Sequence, residues 1–112
     1  MPRDYKVYLQ DVLEAAERVR GYITGLSLKT FSEDVKTVDA VVRNLEVIGE
    51  AIKQVPDDVR SKYTQVEWKR ISGLRDILIH QYFGVDVEII WDIVQNKLPV
   101  LETQIRQIIE EW

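Results

Sequence analysis

Apolar residues recur along this chain at steps of three and four, the spacing of one face of an α-helix. Between Asp4 and Thr24 the stripe is Tyr8, Val12, Ala15/Ala16, Val19 and Ile23. Gly21 is a weak point inside it, and Gly25 is a natural C-terminal stop. Helix 1 is therefore predicted over residues 4–24. Thr30-Phe-Ser-Glu33 has the form of a capping box, with Ser32 as a second cap. After it run Val35, Val38, Val41/Val42, Leu45, Ile48, Ile52 and Val55. Val55 precedes Pro56, a position biased away from helix, so helix 2 is predicted over residues 32–54. Its Gly49-Glu50-Ala51 lets a neighbouring helix come close.

Pro56-Asp57-Asp58 opens a short turn through Lys62, with acids at the positive dipole end. Tyr63-Thr-Gln-Val66 is a connector. Helix 3 is predicted from Glu67 to Ile79 or His80, carrying Trp68, Ile71, Leu74/Arg75 and Leu78. Tyr82-Phe83-Gly84-Val85 reads as a loop, and Asp86 as the cap of helix 4. Its stripe is Ile90, Val94, Leu98, Leu101, Ile105 and Ile108, with Trp91 beside it and a kink expected at Pro99. No alternating strand pattern, linker or repeat is present. The pattern predicts an all-α bundle of four long helices plus one short helical turn, as one domain over residues 1–112. The adjacent pairs Ile89/Ile90 and Ile108/Ile109 are broader than one seam needs, so apolar surface is expected to remain for self-association.

Composition narrows the chemistry. With 46% apolar and 30% charged residues among 112, the chain has a globular balance, not a disordered one. It has no Cys, which excludes disulfides, thiolate catalysis and Cys-ligated zinc. The one His, His80, cannot form a multi-histidine metal cage, and no cofactor is expected. No apolar run approaches the roughly 18 residues of a membrane span. The N-terminal Met-Pro-Arg-Asp-Tyr-Lys lacks the apolar region of a signal peptide, so cytoplasm is the expected compartment.

The net charge of −4 opposes loose nucleic-acid binding, yet the charges are unevenly placed. From Arg60 to Arg75, five cations (Arg60, Lys62, Lys69, Arg70, Arg75) face one acid, Glu67. From Asp86 to Trp112, six acids face Lys97 and Arg106. Such a run commonly forms a solvated helix face; its closeness to His80 gives it a functional reading as well.

The segment from Arg75 to Tyr82 holds a guanidinium, a carboxylate, an imidazole and a phenol. Histidine is the one side chain that, unperturbed, titrates near neutral pH, so His80 is the candidate to take and give protons. Asp76 lies four residues before His80, on the same helix face, where it can accept the ring N–H and fix the tautomer. Arg75 is about 140° from His80 around a helix, so spacing alone does not put both on one face. Its forked, permanent charge suits a phosphate. Arg and His without a metal set suit cleavage of a phosphodiester through an internal 2′-hydroxyl, which RNA has and DNA lacks. A histidine near a helix end also serves simply to cap carbonyls. One His leaves the reaction short of an acid or a base, which a two-fold dimer would supply.

The stretch Trp68-Lys-Arg-Ile-Ser-Gly-Leu-Arg75-Asp76-Ile-Leu-Ile-His80-Gln-Tyr82-Phe-Gly-Val-Asp86, with Trp91 and Asn96-Lys-Leu-Pro99, resembles the HepT-like family, formerly DUF86, of the HEPN superfamily. Arg43-Asn-Leu-Glu46-Val-Ile-Gly49-Glu50-Ala51 resembles its second signature. The likeness covers nearly the whole chain. It implies an α-helical homodimer, or a higher homo-oligomer, acting as a metal-independent ribonuclease toxin on RNA. Arg75 and His80 would line a composite cleft at the dimer interface, and Asp76 belongs to the same catalytic pattern. The family often has Asn where this chain has Asp76, and Pro where it has Glu67. The implied partner is a minimal nucleotidyltransferase antitoxin, MntA, which neutralises the toxin by adding AMP to the motif tyrosine, here Tyr82. The competing expectation is a non-catalytic helical adaptor for such a nucleotidyltransferase, which would not need Arg75, Asp76 and His80.

Overall fold

Asp4 stands in extended backbone and its carboxylate accepts the amide N–H of Lys6 at 3.0 Å, which starts the first helix of the structure. This computed structural model describes residues 4–74, 76, 78 and 87–111. Helix α1 spans Tyr5–Ile23. It ends where Gly25 adopts a φ of +81°, a left-handed conformation costly for any residue with a Cβ. Leu9, Val12, Ala15, Ala16 and Val19 form its buried stripe. Leu9, not Tyr8, begins that stripe; Tyr8 is half-buried.

The expected second helix is divided. Helix α2 spans Leu28–Glu33 and α3 spans Val35–Lys53. The capping box is Ser27 with Thr30, not Thr30 with Glu33. The Thr30 N–H donates to the Ser27 hydroxyl at 3.2 Å, and the Ser27 N–H donates to the Thr30 hydroxyl at 2.8 Å. Asp34 then caps α3, accepting from the Thr37 amide at 3.1 Å and its hydroxyl at 2.7 Å. The break lets α2 leave the line of α3 and bury Phe31 completely, its ring 5.0 Å from that of Trp91. Val35 was expected on the core stripe but is 69% exposed, because it opens α3 beside its cap.

Helix α4 spans Asp57–Lys62, directly after Pro56, with Asp57 and Asp58 in its first turn. Helix α5 spans Trp68–Ser72 and closes at Gly73, so the expected third helix is interrupted there. Leu74, Asp76 and Leu78 are helical beyond the interruption. The end expected for this helix at Ile79 or His80, the loop from Tyr82 to Val85 and the Asp86 cap lie outside the described residues. Helix α6 (Val87–Asp92), a π-helical turn (Ile93–Lys97) and α7 (Leu98–Glu110) form one continuous run. At Pro99, where a kink was expected, the chain has no N–H to give. The preceding turn widens there, and the Leu98 N–H reaches back five residues to the Ile93 carbonyl. Ile90, Val94, Leu98, Leu101, Ile105 and Ile108 are all buried, as their spacing predicts.

All described elements are helical, in an all-α bundle. Helix α1 packs on α3 and α7, α3 on α5, and α2 on α6. The buried side chains form one cluster. Helices α1 and α7 are also fastened by charge. Glu102, buried on α7, accepts from Arg20 at 2.6 Å and from Arg106 at 3.1 Å, and Arg106 reaches Glu17 at 2.9 Å. These two carboxylates, Glu102 first, raise the affinity of Arg106 for its proton. No helix among the described residues is long and apolar enough to cross a membrane.

Candidate functional site

The motif segment begins on α5, so what fixes α5 fixes the start of the site. No side chain caps it. The buried Trp68 anchors it instead, donating its indole N–H to the Tyr63 carbonyl at 2.9 Å. Tyr63 is buried too, and the Glu111 carboxylate at its hydroxyl raises the phenol's pKa, with burial adding to the rise. Gln104 of α7 donates to the Gln65 carbonyl at 2.9 Å. The connector before α5 is thus held from two directions.

Of the sequence-predicted site residues, Asp76 is helical and exposed. Arg75, His80 and Tyr82 lie outside the described residues. Leu78, between Asp76 and His80 in sequence, is 1% exposed and belongs to the core. The second signature lies on α3, the helix on which α5 packs. There the Asn44 amide is buried and donates to the Ala40 carbonyl at 2.9 Å, a helix-internal bond. Arg43 pairs with Glu46 at 3.8 Å on the surface. Gly49 and Ala51 are buried, as small residues at a helix contact are expected to be.

The basic island separates into two kinds of cation. Arg60 is structural. Its Nε donates to the Val55 carbonyl at 3.0 Å, and its Nη2 to those of Ile52 at 2.9 Å and Lys53 at 3.2 Å. Ile52 and Lys53 end α3, where a cation is favoured by the helix dipole, and Val55 lies just beyond it. Lys69 and Arg70, by contrast, are exposed on α5. Arg70 touches Glu67 at 3.3 Å, an exposed pair of small worth.

Sequence reasoning did not find a groove of about 320 Å³ between α3, α5 and the π-helical turn. Leu45 and Ile48 of α3 and Leu98 and Leu101 of α7 give it an apolar floor. Arg70 lines one side, and Asn96 and Lys97 the other. The available signal was Pro99 inside an otherwise unbroken helical stripe, since widened turns often mark functional positions.

The family model described as "Ribonuclease HepT-like" matches residues 12–108. "Putative RNase MJ0127" of Methanocaldococcus jannaschii is 46% identical over 112 residues, covering 99% of this chain and 93% of that protein. "Putative RNase TTE0752" of Caldanaerobacter subterraneus subsp. tengcongensis is 41% identical over 104 residues, 93% of each chain. "Probable ribonuclease HepT" of Thermococcus cleftensis is 38% identical over 108 residues, covering 96% of this chain and 98% of that protein. No solved structure matches the chain significantly.

Proposed function

The chain belongs to the ribonuclease HepT-like family, and on that premise we propose that it is a metal-independent endoribonuclease, the toxin of a HepT/MntA-type pair. The observation that carries this reading is the extent of the family match. It runs through residues 12–108, a span that contains Arg75, Asp76, His80 and Tyr82.

In the proposed reaction, one His80 removes the proton from the RNA 2′-hydroxyl. The oxygen attacks the adjacent phosphorus, and a 2′,3′-cyclic phosphate forms. The bond to the 5′-oxygen breaks as a second imidazole donates a proton to it. Arg75 holds the phosphate through its fork of donors. Asp76 orients the imidazole. Since each chain has one histidine, acid and base come from two copies across a homodimer interface. The exposed Ile89, at 57%, supports the expectation of apolar surface left for such an interface.

Purified protein is expected to cleave RNA in EDTA and to leave cyclic phosphate ends. His80→Ala should lower the rate by about 10²–10⁴-fold. Arg75→Lys should not restore full activity, because a point charge lacks the fork. A divalent-metal requirement, or a loss below about tenfold in His80→Ala, would defeat the mechanism. Binding to the nucleotidyltransferase without any RNA cleavage would favour an adaptor.

A further inference from the structure

We infer that single-stranded RNA docks along α5, its backbone on Lys69, Arg70 and Lys97 and one unstacked base in the apolar groove behind them. The inference rests on the ribonuclease reading for the identity of the ligand and extends it to a binding surface made of described residues of α3, α5, the π-helical turn and α7.

The argument begins with charge. In a chain of net charge −4, a face carrying three exposed cations is a local reversal of sign. Lys69 and Arg70 line an open depression at the start of α5, and Arg70 also lines the groove. Arg70 therefore joins the two features, and Lys97 faces the groove from the π-helical turn. Among the described residues lining either feature, Glu67 is the only carboxylate. Arg60 reaches the depression as well, but its Nε is committed to the Val55 carbonyl and its Nη2 to those of Ile52 and Lys53.

The second step concerns shape. A row of cations alone would take any polyanion. Here it borders an apolar slot floored by Leu45, Ile48 and Leu101, with the Asn96 side chain at its edge. A volume of about 320 Å³ is at the small end of ligand pockets. An unpaired base can swing into such a slot, whereas a base in a duplex is stacked and paired. The π-helical turn places Asn96 and Lys97 on this rim, so the widening at Pro99 gains a use beyond accommodating proline.

Binding of a short, labelled 2′-O-methyl RNA tests this with the intact wild-type protein, since that RNA lacks the nucleophile and survives. Arg70→Gln and Lys97→Gln should each reduce the slope of log affinity against log salt by about 0.7, the value for one phosphate contact on a single strand. Glu67→Gln should tighten binding, and the single strand should bind better than the matching duplex. Unchanged slopes in both variants would overturn the inference, as would equal affinity for duplex. So would a change in oligomeric mass in Lys97→Gln, which would mean that a second copy covers the groove. Cleavage with unchanged slopes would sink this surface and leave the ribonuclease reading standing. Reduced slopes without any cleavage of ordinary RNA would do the opposite.

Discussion

The indole N–H of Trp68 lies 2.9 Å from the backbone carbonyl of Tyr63, and both side chains are buried. This bond takes the place of a side-chain cap at the start of α5. Trp68→Phe removes the donor and shrinks the ring. The carbonyl keeps a longer bond from the Val66 amide at 3.3 Å, so the cost should be about 1–2 kcal/mol and not more. Denaturant unfolding should show a lower midpoint with an unchanged slope. An unaltered midpoint would show that the indole bond does not hold α5.

Arg60 gives a contrasting case within the same basic island. Its guanidinium binds the carbonyls of Ile52 and Lys53 at the end of α3 and that of Val55 just beyond it. Arg60→Ala removes these bonds, but the Ile52 carbonyl keeps its bonds from the Gln54 and Val55 amides, and the half-buried site limits the loss to about 1–2 kcal/mol. Arg60→Lys should recover little, since an ammonium lacks the forked spread of donors that reaches three carbonyls. Full thermal stability in Arg60→Ala would return this residue to the surface cations.

The cap of α3 makes stability depend on acid. The Thr37 hydroxyl, and then its amide, hold the Asp34 carboxyl below its usual range. A folded-state pKa below the unfolded one means that the carboxylate stabilises the native state. That contribution is complete above the unfolded value of about 4 and disappears as pH falls through the folded one. Asp34→Asn keeps an acceptor but does not titrate. Its melting temperature should lie below wild type at neutral pH, and the gap should close in acid. A gap of the same size across this range would contradict the assignment.

The helices were legible because their stripes are long. Ile90 to Ile108 are buried as spaced, and Gly25 stops α1 as its type implies. The division at Asp34 was not legible, because Ser27-Leu-Lys-Thr30 and Thr30-Phe-Ser-Glu33 look alike as local caps. What separates them is tertiary: Phe31 must turn inward to meet Trp91. The use of Arg60 was hidden for the same reason. Charge patterning shows a cation, and only the fold shows which carbonyls it meets. At the candidate site, Arg75, Asp76, His80 and Tyr82 rest on the sequence motif alone, while the groove depends on elements that meet only in the fold.

Tyr82 carries the regulatory prediction. Two residues after His80 is about 200° around a continuous helix, which would direct the phenol away from the imidazole. The following Gly84 frees the backbone to turn, so the sequence permits Tyr82 to approach the cleft from a loop. In the proposed modification, the phenol oxygen attacks the α-phosphorus of ATP. A phosphodiester to AMP forms, pyrophosphate leaves, and the phenolic proton passes to solvent. The added phosphate would bring negative charge where the RNA phosphate must sit. Incubation with the nucleotidyltransferase and ATP should therefore add AMP mass to wild type and none to Tyr82→Phe. Tyr82→Phe should also keep cleaving RNA after that incubation, while inhibition by simple complex formation persists in both. A mass gain that survives Tyr82→Phe, or no gain on wild type, would remove Tyr82 from the regulatory role.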